Sequence, residues 1–425
     1  MKPTSSSKSA LSHVASAADP LGEGTPVAEP REAVSARVSK VQRFRVLDIL
    51  GRVAQLRAEG RDVISLCVGE PGQGAPTAAR KRAADAVLDG TDLGYSPVEG
   101  IAPLREALAG HYKRWYDVDI DPSRFIVTAG SSGAFQLSFL TCFDVGDRVA
   151  LARPGYAAYK NILKALGIEV VELDCGEEVR FQPTVEMLEE EHEKAPLSGV
   201  MVASPANPTG TMIDAEHMAE LADWCDREGV RLISDEIYHG ITFGDSVGTT
   251  AVECSDQAIV ISSFSKYWGM TGWRLGWMIV PEELVEPIKA LAGNLTLCAP
   301  VPSQFAAVEA FSESAYEEGA KAVEGFAAAR QAVLDAVDEL GWTGLAPADG
   351  AFYMYATITP VLGEFADAID WCAALLEEEG VAVSPGSDFD SVHGDQAVRI
   401  SLAAGHEAVV EALERIKRFQ ARHRA

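Results

Sequence analysis

The stretch Ser263-Phe264-Ser265-Lys266-Tyr267-Trp268-Gly269-Met270-Thr271-Gly272-Trp273-Arg274 lies between two short apolar runs, 258–262 and 275–280. Both runs have the length and composition of buried strands. Further runs of this kind precede them at 125–128, 148–152, 169–173, 199–203 and 231–234. Amphipathic segments separate the runs. One of them, 215–227, opens with Asp214, a good helix N-cap. Strands alternating with helices predict βαβ units. The expected fold is therefore α/β, with a mostly parallel seven-stranded sheet covered by helices on both faces. Ligands of such sheets bind beyond the C-terminal strand ends, where the polar residues discussed below fall.

Outside this block the pattern changes. A long helical stretch is predicted over 303–340. Beyond it come strand-like runs at 352–357, 381–384 and 397–402 and helical patterns at 365–379 and 407–422. With 425 residues the chain exceeds what one core supports, so two domains are expected. The large one is placed at 75–310. The smaller α+β domain combines 311–425 with the segment 38–74, which carries a predicted helix at 46–59 and a β-rich run at 63–68. Residues 1–37, rich in Ser, Ala, Pro and Gly, read as a disordered tail without a signal-peptide core.

Composition excludes some function classes. The net charge of −27 disfavours a nucleic-acid partner, because phosphate binding needs a basic face. No apolar run is long enough to span a bilayer. Seven scattered cysteines without a C-x-x-C pair fit reduced thiols of a cytoplasmic protein. The eight histidines lack metal-ligand spacing, so no metal is expected.

Several segments could carry chemistry. Lys266 follows a buried strand, flanked by hydroxyls, with Arg274 eight residues on. A lysine amine that is neutral in a partly buried site can form a Schiff base. Ser263, Ser265 and Arg274 could supply donors and a cation for a phosphate. Taken alone, Lys266 could equally be a solvated loop lysine. Asp235 ends a hydrophobic strand, where it could hold a pyridine nitrogen protonated or simply cap a helix. Tyr238, three residues on, could bond a ring oxygen. Ser204-Pro205-Ala206-Asn207-Pro208-Thr209-Gly210 is a rigid turn that could present the Asn207 amide. Gly130-Ser131-Ser132-Gly133 makes a small-residue strand-to-helix turn, a weak phosphate-cradle signal without the GK[ST] ending. Tyr156 could stack on an aromatic ring or pack in the core. Arg399, among apolar neighbours, needs a partner, which a substrate carboxylate or an internal acid could provide.

In this order the segments closely resemble those of fold-type I, class I/II aminotransferases dependent on pyridoxal 5′-phosphate, from about Val38 onward. The resemblance implies that Lys266 forms the Schiff base and then shuttles the substrate proton. It implies that Asp235 pairs with the ring nitrogen, that Tyr238 and Asn207 bond the ring oxygen, and that Tyr156 stacks on the ring. Ser131, Ser132, Ser263, Ser265 and Arg274 would hold the phosphate. Arg399, Asn207 and the backbone of Gly69 would bind the substrate carboxylate. Tyr95 matches a tyrosine that reaches the neighbouring subunit's phosphate, which implies a homodimer with sites at the interface. The substrates would be an amino acid and a 2-oxo acid, in ping-pong order. Dicarboxylate-specific relatives use an extra Arg after the Schiff-base lysine. Here 275–310 contains no Arg, only Lys289. A neutral, aromatic or broad donor is therefore expected, with 2-oxoglutarate or pyruvate as acceptor. Arg43 and Arg45 could approach the substrate, although a surface position suits them better. Two other readings share the cofactor site: a C–S β-lyase or related elimination enzyme, and a non-catalytic regulatory domain that senses the cofactor. The regulator would need a longer N-terminal DNA-binding segment than the 37 residues present.

Overall fold

A computed structural model describes residues 35, 37–67 and 69–423. Apart from residues 35 and 37, the expected tail lies outside the described residues. The strands are β1 Ile64–Ser65, β2 Phe125–Thr128, β3 Arg148–Arg153, β4 Glu169–Asp174, β5 Gly199–Ala203, β6 Arg231–Asp235, β7 Ile259–Ser263, β8 Gly276–Ile279, β9 Tyr353–Thr357, β10 Val381–Ala382, β11 Ser384–Pro385 and β12 Ala397–Ser401. The helices are α1 Arg45–Ala58, α2 Thr77–Leu88, α3 Ala102–Tyr116, α4 Gly130–Cys142, α5 Ala157–Leu166, α6 Val185–Lys194, α7 Ala215–Glu228, α8 Glu282–Leu295, α9 Val301–Glu309, α10 Glu313–Leu340, α11 Ala368–Glu379 and α12 His406–His423.

Seven strands form the central sheet in the order β2-β8-β7-β6-β5-β3-β4. All pairs are parallel except those of β8, which runs against β2 and β7. Side chains of these strands alternate between the two faces. Val200, Val202, Leu232, Val260 and Trp277 pack into one core with Met218, Leu221 and Trp224 of α7. Met201, Ile233, Ile261 and Met278 pack into another with Phe135, Leu137 and Phe139 of α4. Burial on both faces explains why these strands are continuous apolar runs.

The smaller α+β part has an antiparallel sheet, β11-β12-β9, and a parallel pair, β1-β10. Helices α10, α11 and α12 pack together beside them. Two expectations change here. The helix predicted over 303–340 is broken at 310–312 into α9 and α10. The break seats Phe311 among His111, Phe264 and Trp268, at ring distances of 5.2, 5.4 and 5.3 Å. The strand predicted at 381–384 divides at Val383, because β10 pairs with β1 whereas β11 pairs with β12. No described helix is long and apolar enough to cross a membrane.

Candidate active site

Strands β2, β3, β5, β6 and β7 all point their C-terminal ends to one edge of the sheet. The turns that follow them line an open cleft of about 640 Å³, a size typical of ligand sites. The other wall comes from β9, β12, the start of α1 and the loop after β11.

Lys266 reaches into this cleft from the loop after β7. It is half-buried, and its Nζ donates to the Gly69 carbonyl at 2.6 Å. The same nitrogen lies 5.7 Å from the centre of the Tyr238 ring and 5.9 Å from that of Phe352. Asp235, the last residue of β6, is buried, accepts from the Tyr159 hydroxyl, and accepts from the Ile237 N–H at 3.1 Å. Burial pushes its pKa up to about 6, while the Tyr159 and Ile237 bonds and the Lys266 charge pull it down. It is therefore mostly ionised at neutral pH. The Tyr238 hydroxyl lies 3.0 Å from that of Tyr353. Burial, then the neighbouring Tyr353, holds the Tyr238 phenol well above its ordinary pKa, so it keeps its proton.

One end of the cleft is rich in donors. Helix α4 starts at Gly130, so the free N–H groups of its first turn open there, beside Ser131 and Ser132. Gly130 has φ +72, and a Cβ on it would lie 2.3 Å from an Arg274 guanidinium nitrogen. Only glycine lets the cation lie against the helix terminus. Arg274 itself adopts a left-handed backbone, φ +52, and donates to the Thr271 carbonyl at 2.8 Å. Ser265 completes this end.

The other end is built around Arg399 on β12. It is 4% exposed, and its hydrogen bonds among the described residues go to neutral groups. Its guanidinium donates to Asn207 Oδ1 at 3.0 Å, the Cys67 carbonyl at 2.6 Å and the Ser384 hydroxyl at 3.3 Å. The rings of Tyr353 and Phe389 flank it at 4.4 and 4.6 Å. Its Nε has no hydrogen-bond partner among the described residues. A buried cation left without a counter-charge is costly, so this geometry suits an incoming carboxylate.

Of the expected residues, Lys266, Asp235, Tyr238, Asn207, Tyr156, Ser131, Ser132, Ser265, Arg274, Arg399 and Gly69 line the one cleft. Ser263 and Tyr95 do not. The Ser263 hydroxyl is 1% exposed and lies 3.0 Å from the Leu275 carbonyl, where it braces the lysine loop. Tyr95 is 83% exposed on the surface. Arg43 pairs with Asp48 at 2.6 Å, Arg45 is exposed, and Lys289 pairs with Glu286 at 2.8 Å. None of these three cations lines the cleft.

Sequence reasoning missed Tyr159, Tyr353, Phe389, and the apolar entrance made by Phe44, Val46, Leu47 and Leu50. Only one of these had a local signal: Tyr159 follows Tyr156 by three residues across the start of α5, and the two rings lie 5.3 Å apart. Beside the site, Glu236 is buried with Oε1 accepting from the Ala251 N–H at 2.8 Å. Its Oε2 lies 3.6 Å from His239 Nδ1, and the Thr250 and Ser234 hydroxyls act on the carboxyl to lower its pKa against the larger effect of burial. Burial pushes Glu236 up to about 8.

Residues 61–416 match the family described as Aminotransferase class I and II. The chain belongs to that family, and it is a pyridoxal-5′-phosphate-dependent transaminase acting between an amino acid and a 2-oxo acid. It is similar to the valine–pyruvate aminotransferase of Mycobacterium tuberculosis, 47% identical over 374 residues that cover 88% of this chain and 95% of the relative. It is also 35% identical to the (5-formylfuran-3-yl)methyl phosphate transaminase of Methanocaldococcus jannaschii, covering 91% and 99% of the two chains. A solved aminotransferase structure from M. tuberculosis superposes with a TM-score of 0.88 at 46% identity, covering 92% and 99%. The lyase and regulator readings are not favoured by these relatives.

The residues present fit the cofactor. The cradle that a Cβ at Gly130 would fill joins a helix N-terminus to a guanidinium, which is suitable for a phosphate. The buried Asp235 suits a protonated ring nitrogen, and Lys266 suits covalent attachment.

Proposed function

We propose that this transaminase takes a neutral, branched or aromatic L-amino acid as donor and a small 2-oxo acid such as pyruvate as acceptor. The apolar entrance carries this reading. Phe44, Val46, Leu47 and Leu50 line it, and among the described residues no cation does apart from Lys266, Arg274 and Arg399. A second carboxylate on the substrate would have no described cation to meet it. The name of the valine–pyruvate relative supports the same reading.

When bound, the cofactor supplies an aldehyde that takes the amine and a ring that accepts the electrons of the broken Cα–H bond. In this reading Lys266 holds the cofactor and, once displaced, takes and returns the substrate proton at its Nζ. The Asp235 carboxylate keeps the ring nitrogen protonated. Tyr238 and Asn207 would bond the ring oxygen, and Tyr156 would pack on the ring. The first turn of α4, Ser131, Ser132, Ser265 and Arg274 would hold the phosphate, with Ser263 bracing Ser265. Arg399, Asn207 and the Gly69 backbone would fix the substrate carboxylate. Tyr95 would serve the neighbouring subunit of a homodimer. We assign residues 75–310 to the large domain, 38–74 and 311–425 to the small one, and the enzyme to the cytoplasm, which the seven free thiols suit.

The test is an absorbance series. Purified enzyme loaded with cofactor is mixed with single amino acids and no oxo acid, and loss of the long-wavelength band is followed. Valine, leucine or phenylalanine should convert the band faster than aspartate or glutamate, and the Lys266→Ala protein should show no such conversion. Faster conversion by the dicarboxylates, or release of ammonia and pyruvate from cystathionine, would overturn the reading.

A further inference from the structure

Strands β9 and β12 run antiparallel with Arg399 opposite Tyr355 and Ser401 opposite Tyr353. Arg399 and Tyr353 are thus diagonal neighbours on one face of the sheet, close enough for a long side chain to cover an aromatic ring. The Tyr353 ring flanks the guanidinium at 4.4 Å. Its hydroxyl reaches the other way, to 3.0 Å from that of Tyr238. It also lies so close to Gly69 that a Cβ there would be 2.3 Å from it. Gly69 is the residue whose carbonyl accepts from Lys266 Nζ. One buried side chain therefore touches the carboxylate end of the cleft with its ring and the proton-handling end with its hydroxyl.

We propose that Tyr353 is a positioning residue that couples these two ends. The inference rests on the roles given above to Arg399 and Tyr238. A phenol has one proton. If Tyr238 is to donate toward a cofactor oxygen, its own oxygen is left to accept, and Tyr353 is the donor within reach. A bond donated to Tyr238 makes it a better donor in turn. With the Tyr353 ring at 4.4 Å and that of Phe389 at 4.6 Å, aromatic contact restricts where the guanidinium sits and so where a carboxylate meets it.

Two variants separate the functions. Tyr353→Phe keeps the ring and removes the hydroxyl. It should lower kcat about tenfold, with KM for the donor within about twofold. It should also move the pH midpoint of the long-wavelength cofactor band upward by about half a unit or more, because the ring oxygen's charge is less well stabilised. Tyr353→Leu removes the ring as well. It should weaken binding of 3-methylbutanoate, an amine-free carboxylate probe, about tenfold, whereas Tyr353→Phe should leave this affinity near wild type. A Phe variant with wild-type kcat and midpoint would overturn the inference. So would Phe and Leu variants that behave alike, including a shared failure to bind cofactor, since Tyr353 would then be packing only. Wild-type enzyme that converts no amino acid would overturn the functional reading and this inference together, whereas wild-type turnover with silent variants would overturn the inference alone.

Discussion

At Asp235 burial and the role proposed for it pull in opposite directions. Its carboxyl is pushed up to about 6 by desolvation, from an ordinary 3.8. In the unfolded chain it releases its proton near 3.8. Raising the pH from 3.8 to about 6 therefore favours the unfolded state of the cofactor-free protein, and the cost persists above that range. A ring nitrogen carrying a proton would offset the cost. Asp235→Asn should accordingly raise the thermal midpoint of the cofactor-free protein at pH 7 and lower turnover of the loaded enzyme by about 100-fold or more. Thermal unfolding and initial rates measure the two effects, and a variant less stable than wild type would contradict this account. Wild-type activity should fall as the pH drops through the range in which Asp235 takes up its proton. The placement of Asp235 and Lys266 in the cleft was legible because the first ends a strand and the second follows one, each within a short recognisable stretch. Tyr353 was not, because its meaning lies in contacts with Tyr238 and Arg399, which only the fold brings near.

At the scale of elements, the loop after β11 does more than its length suggests. The Asp388 carboxylate accepts from the N–H groups of Arg45 and Val46 at 3.1 and 3.0 Å, capping α1 from a distant part of the chain. Phe389 flanks Arg399, and its carbonyl accepts from the Gly155 N–H at 2.9 Å. Asp390 pairs with Arg153 at 3.4 Å. Asp388→Ala should cost about 1 kcal/mol, the usual worth of a cap. Because α1 carries the apolar entrance, the same change should raise KM for branched donors and leave kcat little altered. An unchanged KM would mean that the cap does not hold the entrance. The seven strands of the large sheet were read from sequence to within a residue at each end, since burial on both faces leaves an uninterrupted apolar run. The break at 310–312 and the division at Val383 were not legible. Each is decided by what the chain packs against, Phe311 by the aromatic cluster and Val383 by two different sheets.

At the scale of the whole molecule, the net charge of −27 keeps the surface repulsive, yet Val87, Leu88 and Tyr95 stand 65, 84 and 83% exposed in one short stretch. In the homodimer proposed above, these side chains would be available to a partner subunit. Sedimentation should give twice the 45.3 kDa chain mass. Tyr95→Ala should weaken cofactor retention without changing the fold. A monomer of full activity would remove Tyr95 from the site.

Arg399 joins Asn207, the Cys67 carbonyl and Ser384, and the bond to Cys67 spans 332 residues of chain. The last strand of the large sheet, by contrast, ends at Ile279. During synthesis this chain's own residues at the donor-rich end, Ser131, Ser132, Ser265 and Arg274, emerge before Ser384 and Arg399 exist. The arginine end of the cleft forms only when β11 and β12 close back on Cys67, and in the proposed homodimer the donor-rich end would still await Tyr95 of a second chain.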